Sequence, residues 1–115
     1  MGKLTKEDVI LLFLEDPKKL VGEIWNKNVP KSDEIRTLIC DLGDPRCAYL
    51  YAINIDKSPH LDTRQAAYKD PGYAYFYTLD VDKSPRLDTR QAACKDPYWK
   101  ERYEEWEKEC SLKKT

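Results

Sequence analysis

The chain has 115 residues, which predicts a single domain, and it carries 20 Lys and Arg residues against 21 Asp and Glu residues. That balance excludes a strongly basic nucleic-acid-binding protein, and four glycines are too few for a phosphate loop or a turn-rich β-barrel. No apolar run approaches the about 20 residues that cross a membrane, and the N-terminus lacks the apolar stretch of a signal peptide. We therefore expect a cytoplasmic protein with neither a membrane nor a nucleic-acid partner.

The first predicted element is a helix that follows Thr5. Thr5 and Asp8 have the spacing of a capping box, and they precede the apolar run from Val9 to Leu14. The dipeptide Asp-Pro then occurs at residues 16–17, 44–45, 70–71 and 96–97, at intervals of 28, 26 and 26 residues. Asp is a preferred N-cap residue and Pro is favoured at the first helical position, so each dipeptide predicts the start of a helix.

These intervals belong to an internal repeat, because residues 45–70 and 71–96 are identical at 17 of 26 positions. Residues 17–44 form a degenerate copy that retains Lys31-Ser32, Arg36 and the Asp-Pro ending. The sequence therefore predicts one domain, residues 1–115, made of two good units, this degenerate unit, and half units at residues 1–16 and 97–115.

Each unit is predicted to contain two short helices. The first helix of the 71–96 unit places four residues on one face at helical spacing: Ala74, Tyr77, Thr78 and Val81. The Asp-Lys-Ser-Pro segment ends this helix, because the residue before proline avoids the α conformation. A β-strand over residues 74–79 is an alternative, because that segment is rich in aromatic residues.

The second helix of the unit is expected to be about two turns long, with Leu87, Ala92 and Ala93 facing inward. Two starts are compatible with the sequence. Ser84-Pro85 could cap the helix, or Asp88 could form a capping box with the glutamine three residues later.

The C-terminal segment is predicted to be a single amphipathic helix. Four residues lie on one face at helical spacing, and the other positions are mainly Lys, Glu and Arg: Trp99, Tyr103, Trp106 and Cys110. A polar outer face is typical of a helix that caps a repeat array. The expected fold class is all-α, a small solenoid of about 26-residue helical-hairpin repeats with a degenerate N-terminal unit and a C-terminal capping helix.

The unit D-P-x-x-A-Y-x-Y-A/T-x-x-I/V-D-K-S-P-x-x-D-T-R-Q-A-A-x-K is carried by Asp44 to Lys69 and by Asp70 to Lys95. It resembles the tandem repeats found in proteins of tailed bacteriophages and their bacterial hosts. The resemblance covers about half of the chain well and implies a helical repeat in a phage context, with the host cytoplasm as its location. It implies neither an activity nor catalytic residues.

The sequence contains no recognisable catalytic or metal-binding constellation. Cys40, Cys47, Cys94 and Cys110 lack zinc-site or redox spacing, so we expect reduced thiols, with a Cys40–Cys47 disulfide as the alternative. The one histidine, His60, is replaced by Arg86 in the next unit. We expect no catalytic residues, no cofactor and no bound metal, and a solvated or capping role for His60.

Arginine and tyrosine supply the binding candidates. Arg64 and Arg90 recur at the same place in two units, where they can reach carbonyl groups at a neighbouring helix end or pair with an aspartate. The alternative is a row of anion-binding arginines along one face. Tyr49 and Tyr75 share a position that is not aromatic in the flanking units, which suggests partly exposed rings suited to an interface. Packing of these rings between adjacent repeats is the other interpretation. Tyr51, Tyr77 and Tyr103 share another position and are expected to lie in the core.

The leading hypothesis is a non-enzymatic module that binds another protein through one face of the repeats. In a phage context the partner would be a host or defence protein. The alternative is a small-ligand or nucleotide binder in which tyrosine rings stack on a base and Arg64, Arg86 or Arg90 takes a phosphate. A second alternative is a structural repeat protein that self-associates end to end.

Overall fold

The computed structural model describes residues 3–113, and these residues form eight α-helices and no β-strand. The all-α class is therefore confirmed, and the strand alternative over residues 74–79 is wrong. Two of the helices continue without interruption into π-helical segments. The helices are α1 Lys6–Glu15, α2 Pro17–Trp25, α3 Asp33–Asp41, α4 Pro45–Leu50, α5 Leu61–Ala67, α6 Pro71–Tyr77, α7 Leu87–Ala93 and α8 Pro97–Lys113. The π segments are Tyr51–Asp56 after α4 and Thr78–Asp82 after α6.

The Asp-Pro dipeptides start helices as predicted. The carboxylates of Asp16, Asp44, Asp70 and Asp96 each accept a hydrogen bond from the backbone N–H two residues later, at 2.8 to 3.0 Å. Proline at the next position has no N–H to leave unpaired. The capping box at the start of α1 is also present, since Thr5 and Asp8 each accept from the other's backbone N–H.

The π-helical segments were not predicted from the sequence. Both segments end at a lysine in the left-handed conformation, Lys57 with φ 55° and Lys83 with φ 59°. The chain then leaves the helix through Ser-Pro, as the sequence predicted. A π turn adds one residue to a helical turn, so it changes which side chains of the first helix face the preceding unit.

The buried positions of the first helices follow the predicted spacing. Ala74, Tyr77 and Thr78 are fully buried, and Val81 is 8% exposed. In α8, Tyr103 is fully buried, while Trp99, Trp106 and Cys110 are partly buried on the same face. The amphipathic pattern of the C-terminal helix is therefore confirmed.

The prediction for Leu87 is wrong, because its side chain is 71% exposed. Ala92 and Ala93 do lie in the core, and Leu87 precedes them by five and six residues. At about 100° per residue, Leu87 points roughly 120 to 140° away from both alanines around the helix axis. Thr89 lies on the inward face instead and is fully buried.

Neither predicted cap of the second helix is used. Arg86 is the N-cap residue of α7, no side chain caps the helix, and Asp88 accepts a hydrogen bond from the adjacent Thr89 N–H. The equivalent N-cap residue of α5 is His60, likewise without a side-chain cap. The backbone groups at both N-caps contact a tyrosine from the following unit.

Tyr51, Tyr77 and Tyr103 are fully buried, as predicted, and each hydroxyl reaches the N-cap backbone of the preceding second helix. The Tyr77 hydroxyl accepts from His60 N–H at 3.0 Å and donates to His60 C=O at 3.1 Å. It also lies 2.7 Å from the Thr63 hydroxyl. The tyrosine thereby satisfies the N-cap N–H, a role that a local glutamate takes in a capping box.

All four cysteines are free thiols, so the Cys40–Cys47 disulfide alternative is wrong. Cys47 is fully buried and the other three are partly exposed. Burial raises the pKa of the Cys40 and Cys47 thiols to about 12. Both side chains therefore behave as small, unreactive hydrophobic groups at neutral pH.

The helices pack into a body with principal extents of 49, 26 and 20 Å. Three hydrophobic clusters follow one another along the chain: the first is centred on α1 to α4, and the second and third contain Tyr77 and Tyr103. Among residues 3–113, no helix combines the length and the apolar character that spanning a bilayer requires.

Candidate functional site

Six aromatic side chains form a continuous row across α4, α6 and the start of α8. We call this set the aromatic row: Tyr49, Tyr73, Tyr75, Phe76, Tyr98 and Trp99. Phe76 is at its centre, with ring centroids 6.1 Å from Tyr49 and 5.2 Å from Trp99. Tyr98 continues the row, 4.8 Å from Trp99 with its ring nearly perpendicular. Tilted and edge-to-face contacts of this kind are the favoured geometries of aromatic pairs.

Five of the six residues of the aromatic row are partly buried, and the sixth, Tyr98, is exposed. Tyr98 is the most accessible of them, at 53% exposed. Its ring lies beneath the Arg102 guanidinium, whose Cζ is 5.0 Å from the ring centroid. At the other end the Tyr49 hydroxyl donates to Asp80 Oδ2 at 2.5 Å.

Gly72 permits the close approach of α6 and α8 within the row. A Cβ atom at this position would lie 2.9 Å from two atoms of the Trp99 indole. No real Cβ tolerates such a distance, so any other residue here would push the ring away. Sequence reasoning did not identify Gly72, because its requirement comes from a residue in the next unit.

The structure brings together Tyr49 and Tyr75, the two tyrosines predicted to be partly exposed, through Phe76. Both are half-buried. Tyr73, Phe76 and Trp99 were not singled out from the sequence as binding candidates. The clustering of aromatic residues on the first helices was the signal that could have identified them.

The predicted arginines Arg64 and Arg90 lie away from the row and are paired with carboxylates. Arg64 donates from Nε to Asp82 Oδ2 at 3.1 Å and from Nη2 to Asp82 Oδ1 at 2.5 Å. Both side chains of this pair are almost completely buried. Arg90 donates to Glu107 at 3.0 Å and to Glu104 at 3.4 Å. The predicted pairing with an aspartate is confirmed for Arg64, whereas Arg90 pairs with two glutamates instead.

Arg86 also has a carboxylate partner. Its guanidinium donates to both oxygens of Asp88, at 3.1 and 3.3 Å. His60, at the equivalent position, makes no such pair, since its Nε2 lies 3.4 Å from Ser58 Oγ and 3.9 Å from Asp56 Oδ2. The exchange of arginine for histidine therefore changes the local ion pairs.

A cavity of about 510 Å³ lies beside His60, between the start of α3 and the connection that leads into α5. Its lining is polar throughout: Lys31, Ser32, Asp33, Arg36, Asp56, Ser58 and His60. Asp56 is the most buried of the charged residues, with its side chain 2% exposed, and Oδ2 has no hydrogen-bond partner. Burial raises the pKa of the Asp56 carboxyl, and the positive charges of His60, Arg36 and Lys31 oppose that rise.

Ser58, His60 and Asp56 are the residue types of a hydrolase triad, but their geometry differs from one. A triad histidine contacts the serine through one ring nitrogen and the carboxylate through the other. Here both neighbours lie nearest the same nitrogen, Nε2. Within residues 3–113 no group of three or more His, Cys, Asp or Glu side chains is arranged to hold a metal ion.

Comparisons of the chain with protein families, with curated proteins and with solved structures find no match. The candidate site is therefore interpreted from its own geometry. Two features stand out, a row of half-buried aromatic rings that crosses three units and a polar cavity with an unpartnered buried carboxylate.

Proposed function

We propose that the chain is a small helical solenoid that acts as a non-enzymatic protein-binding module through the aromatic row. The single observation that carries this proposal is the continuity of the row, in which six partly accessible rings from three successive units contact one another. Aromatic side chains, tyrosine and tryptophan above all, are enriched where proteins bind each other.

The solenoid part of the proposal is supported by contacts that recur from unit to unit. The hydroxyls of Tyr51, Tyr77 and Tyr103 contact the N-cap backbone N–H and C=O of Ser32, His60 and Arg86, respectively. The Tyr51 hydroxyl has one further and shorter contact, to Pro30 C=O at 2.8 Å. Contacts made only between neighbouring units are the property that defines a solenoid. The elongated extents of 49, 26 and 20 Å are compatible with such stacking.

A protein partner is favoured by the mixed character of the row. The partly exposed rings are apolar, while Tyr73, Tyr75 and Tyr98 each add a hydroxyl group to the row. A partner would present apolar side chains bordered by hydrogen-bonding groups. The resemblance to repeats of tailed-phage proteins supports a host or defence protein in the bacterial cytoplasm as that partner.

The nucleotide-binding alternative is less favoured by the geometry. Arg64, Arg86 and Arg90 each already donate to carboxylates, so a phosphate would have to displace Asp82, Asp88 or the α8 glutamates. Displacing the nearly buried Asp82 would leave that carboxylate unpaired, which costs several kcal/mol. A thermal-shift screen with nucleotides tests this alternative, because a ligand at 100 times its Kd adds about 2.7 kcal/mol of stability.

Site-specific photo-crosslinking tests the protein-binding proposal. A benzophenone amino acid replaces Tyr98 in one variant and Leu87 in a matched variant, both of which are exposed positions. The two proteins are irradiated in bacterial host lysate, and cross-linked proteins are identified by mass spectrometry. We expect a defined partner to be cross-linked from position 98 and not from position 87.

The partner is then purified and its Kd measured with Tyr98→Ser and Leu87→Ser. Loss of an anchoring aromatic typically costs 1 to 2 kcal/mol or more at an interface, so Tyr98→Ser should weaken binding about tenfold. Leu87→Ser should leave the Kd within about twofold of the unaltered protein. Equal cross-linking from both positions, or equal affinities of both variants, would contradict the proposal.

Self-association is a second candidate function, supported by one further surface. Ile10, Leu11 and Leu14 are exposed together on α1, at 36%, 64% and 75%. A second copy of the chain would cover this apolar face. Light scattering should show that the molar mass rises with protein concentration. The double variant Leu11→Ser and Leu14→Ser should abolish this rise. Leu61→Ser, which changes an exposed leucine elsewhere, should not. A constant monomer mass would contradict this candidate.

A further inference from the structure

The carboxylate in the cavity beside His60 has a fully paired counterpart in the next unit. Asp56 and Asp82 are equivalent residues at the ends of the two π segments. Asp82 has both carboxylate oxygens hydrogen-bonded to the Arg64 guanidinium. Asp56 Oδ2 has no such partner, although the equivalent arginine, Arg36, lies nearby with Nη1 at 3.9 Å.

Arg36 is held away from Asp56 by two other carboxylates. Its Nε donates to both oxygens of Asp62 at 3.1 Å, and its Nη1 donates to Asp33 at 2.9 Å. In the next unit the residue equivalent to Asp62 is Asp88, which is already occupied by Arg86. Arg64 is therefore available for Asp82, whereas Arg36 is engaged by Asp62.

Two residues that contact the site differ between the two arrangements: His60 stands in place of Arg86, and Asp33, which binds Arg36, stands in place of Leu61. The guanidinium of Arg86 forms a bidentate pair with the carboxylate two residues later, but the imidazole of His60 does not reach Asp62. Asp62 takes Arg36 as its partner instead, and Asp56 keeps an unpaired oxygen in a polar cavity. The exchanges at these two positions accompany the difference between the paired Asp82 and the Asp56 oxygen that has no hydrogen-bond partner.

We propose that this cavity binds a guanidinium group, with Asp56 as its principal acceptor. The Arg64–Asp82 pair is the precedent within this chain, since it shows the equivalent carboxylate accepting a guanidinium. The Ser58 hydroxyl and the Asp33 carboxylate line the same cavity and add acceptors for the remaining N–H groups.

The lining carboxylates of Asp33 and Asp56 equal in number the permanent cations of Lys31 and Arg36, and Asp62 is paired with Arg36. A cation with N–H donors is favoured by the buried Asp56 oxygen that has no hydrogen-bond partner. The group would come from a free guanidino compound or from an arginine side chain of a polypeptide. Both sources share the chemistry that Asp56 recognises.

An NMR titration of the full chain tests the proposal with named probes. Arginine amide represents the free compound, and an acetylated Gly-Arg-Gly amide peptide represents the polypeptide source. Citrulline amide is the control, because its urea group has nearly the shape of guanidinium without the charge. We expect saturable shifts at Asp56, Ser58 and His60 with one or both arginine probes, and at least tenfold weaker binding of citrulline amide.

Binding by both arginine probes identifies the guanidinium alone as sufficient, and binding by the peptide alone identifies an arginine in a polypeptide; either supports the proposal. Asp56→Asn should weaken binding at least tenfold. His60→Arg should also weaken binding at least tenfold, because it introduces the arginine that occupies the equivalent position of the next unit. Arg86→His is the control, since it makes the reverse exchange at a position outside the cavity. The Kd for binding at Asp56 should then stay within twofold of that of the unaltered protein.

Two results would overturn the proposal. One is the lack of saturable shifts at the cavity with either arginine probe. The other is binding that Asp56→Asn leaves unchanged while the amide spectrum shows the variant to be folded.

Discussion

The contact between the Tyr77 hydroxyl and the N-cap of α5 provides a direct test of how neighbouring units hold together. Tyr77→Phe removes only the hydroxyl and retains the fully buried ring. The variant loses the hydrogen bonds with His60 N–H at 3.0 Å and His60 C=O at 3.1 Å, and the contact with the Thr63 hydroxyl at 2.7 Å. Thr63 still donates to His60 C=O at 3.1 Å, so the N–H is the group left without a partner.

The expected cost follows from these groups. A net hydrogen bond contributes about 1 kcal/mol, and an unsatisfied, partly buried N–H adds about 1 kcal/mol more, so Tyr77→Phe should lower the free energy of unfolding by about 2 kcal/mol. For a chain of this length that corresponds to a fall in Tm of roughly 8 °C. Tyr103→Phe should behave alike, because its hydroxyl contacts the Arg86 N–H, the Arg86 C=O and the Thr89 hydroxyl.

Urea denaturation followed by circular dichroism at 222 nm measures the change, with Tyr98→Phe as the control on an exposed ring. The control should remain within about 0.5 kcal/mol of the unaltered protein. A loss below about 0.5 kcal/mol for Tyr77→Phe would refute the reasoning, because it would mean that water replaces the hydroxyl at the N-cap.

Four further substitutions have expected outcomes that the same measurement checks. Gly72→Ala should destabilise by about 1 to 3 kcal/mol, because the new Cβ would meet the Trp99 ring at 2.9 Å. Gly22→Ala should stabilise by about 0.5 to 1 kcal/mol, since nothing lies within 4 Å of its Cβ position in α2; a loss at Gly22 as large as that at Gly72 would contradict both expectations. Leu87→Ser should change stability by less than about 0.5 kcal/mol, and a larger loss would show the side chain to be buried. Asp56→Asn should stabilise the protein at pH 7, because a carboxyl whose pKa is raised by burial lowers the free energy of unfolding once it ionises. The gain should shrink as the pH falls through the acid range. A gain that does not depend on pH would exclude this cause.

Much of the local structure could be predicted from the sequence, because the interactions that set it act over a few residues. The four Asp-Pro helix starts depend on a carboxylate and an N–H two positions apart. The buried face of α6, including Tyr77, follows from helical spacing alone. The sequence also predicted that Arg64 could pair with an aspartate, although not which one, because the same charged residues recur in two units.

The tertiary structure decided the features that depend on residues from different units. Leu87 is exposed because the orientation of its short helix, and not its hydrophobicity, sets which side meets the neighbours. Arg64 pairs with Asp82 while Arg36 turns to Asp62, a difference that depends on competition among carboxylates 18 to 26 residues away. Capping chemistry and helical periodicity are local and can be read along the chain, whereas competition for one guanidinium depends on distances that only folding brings about.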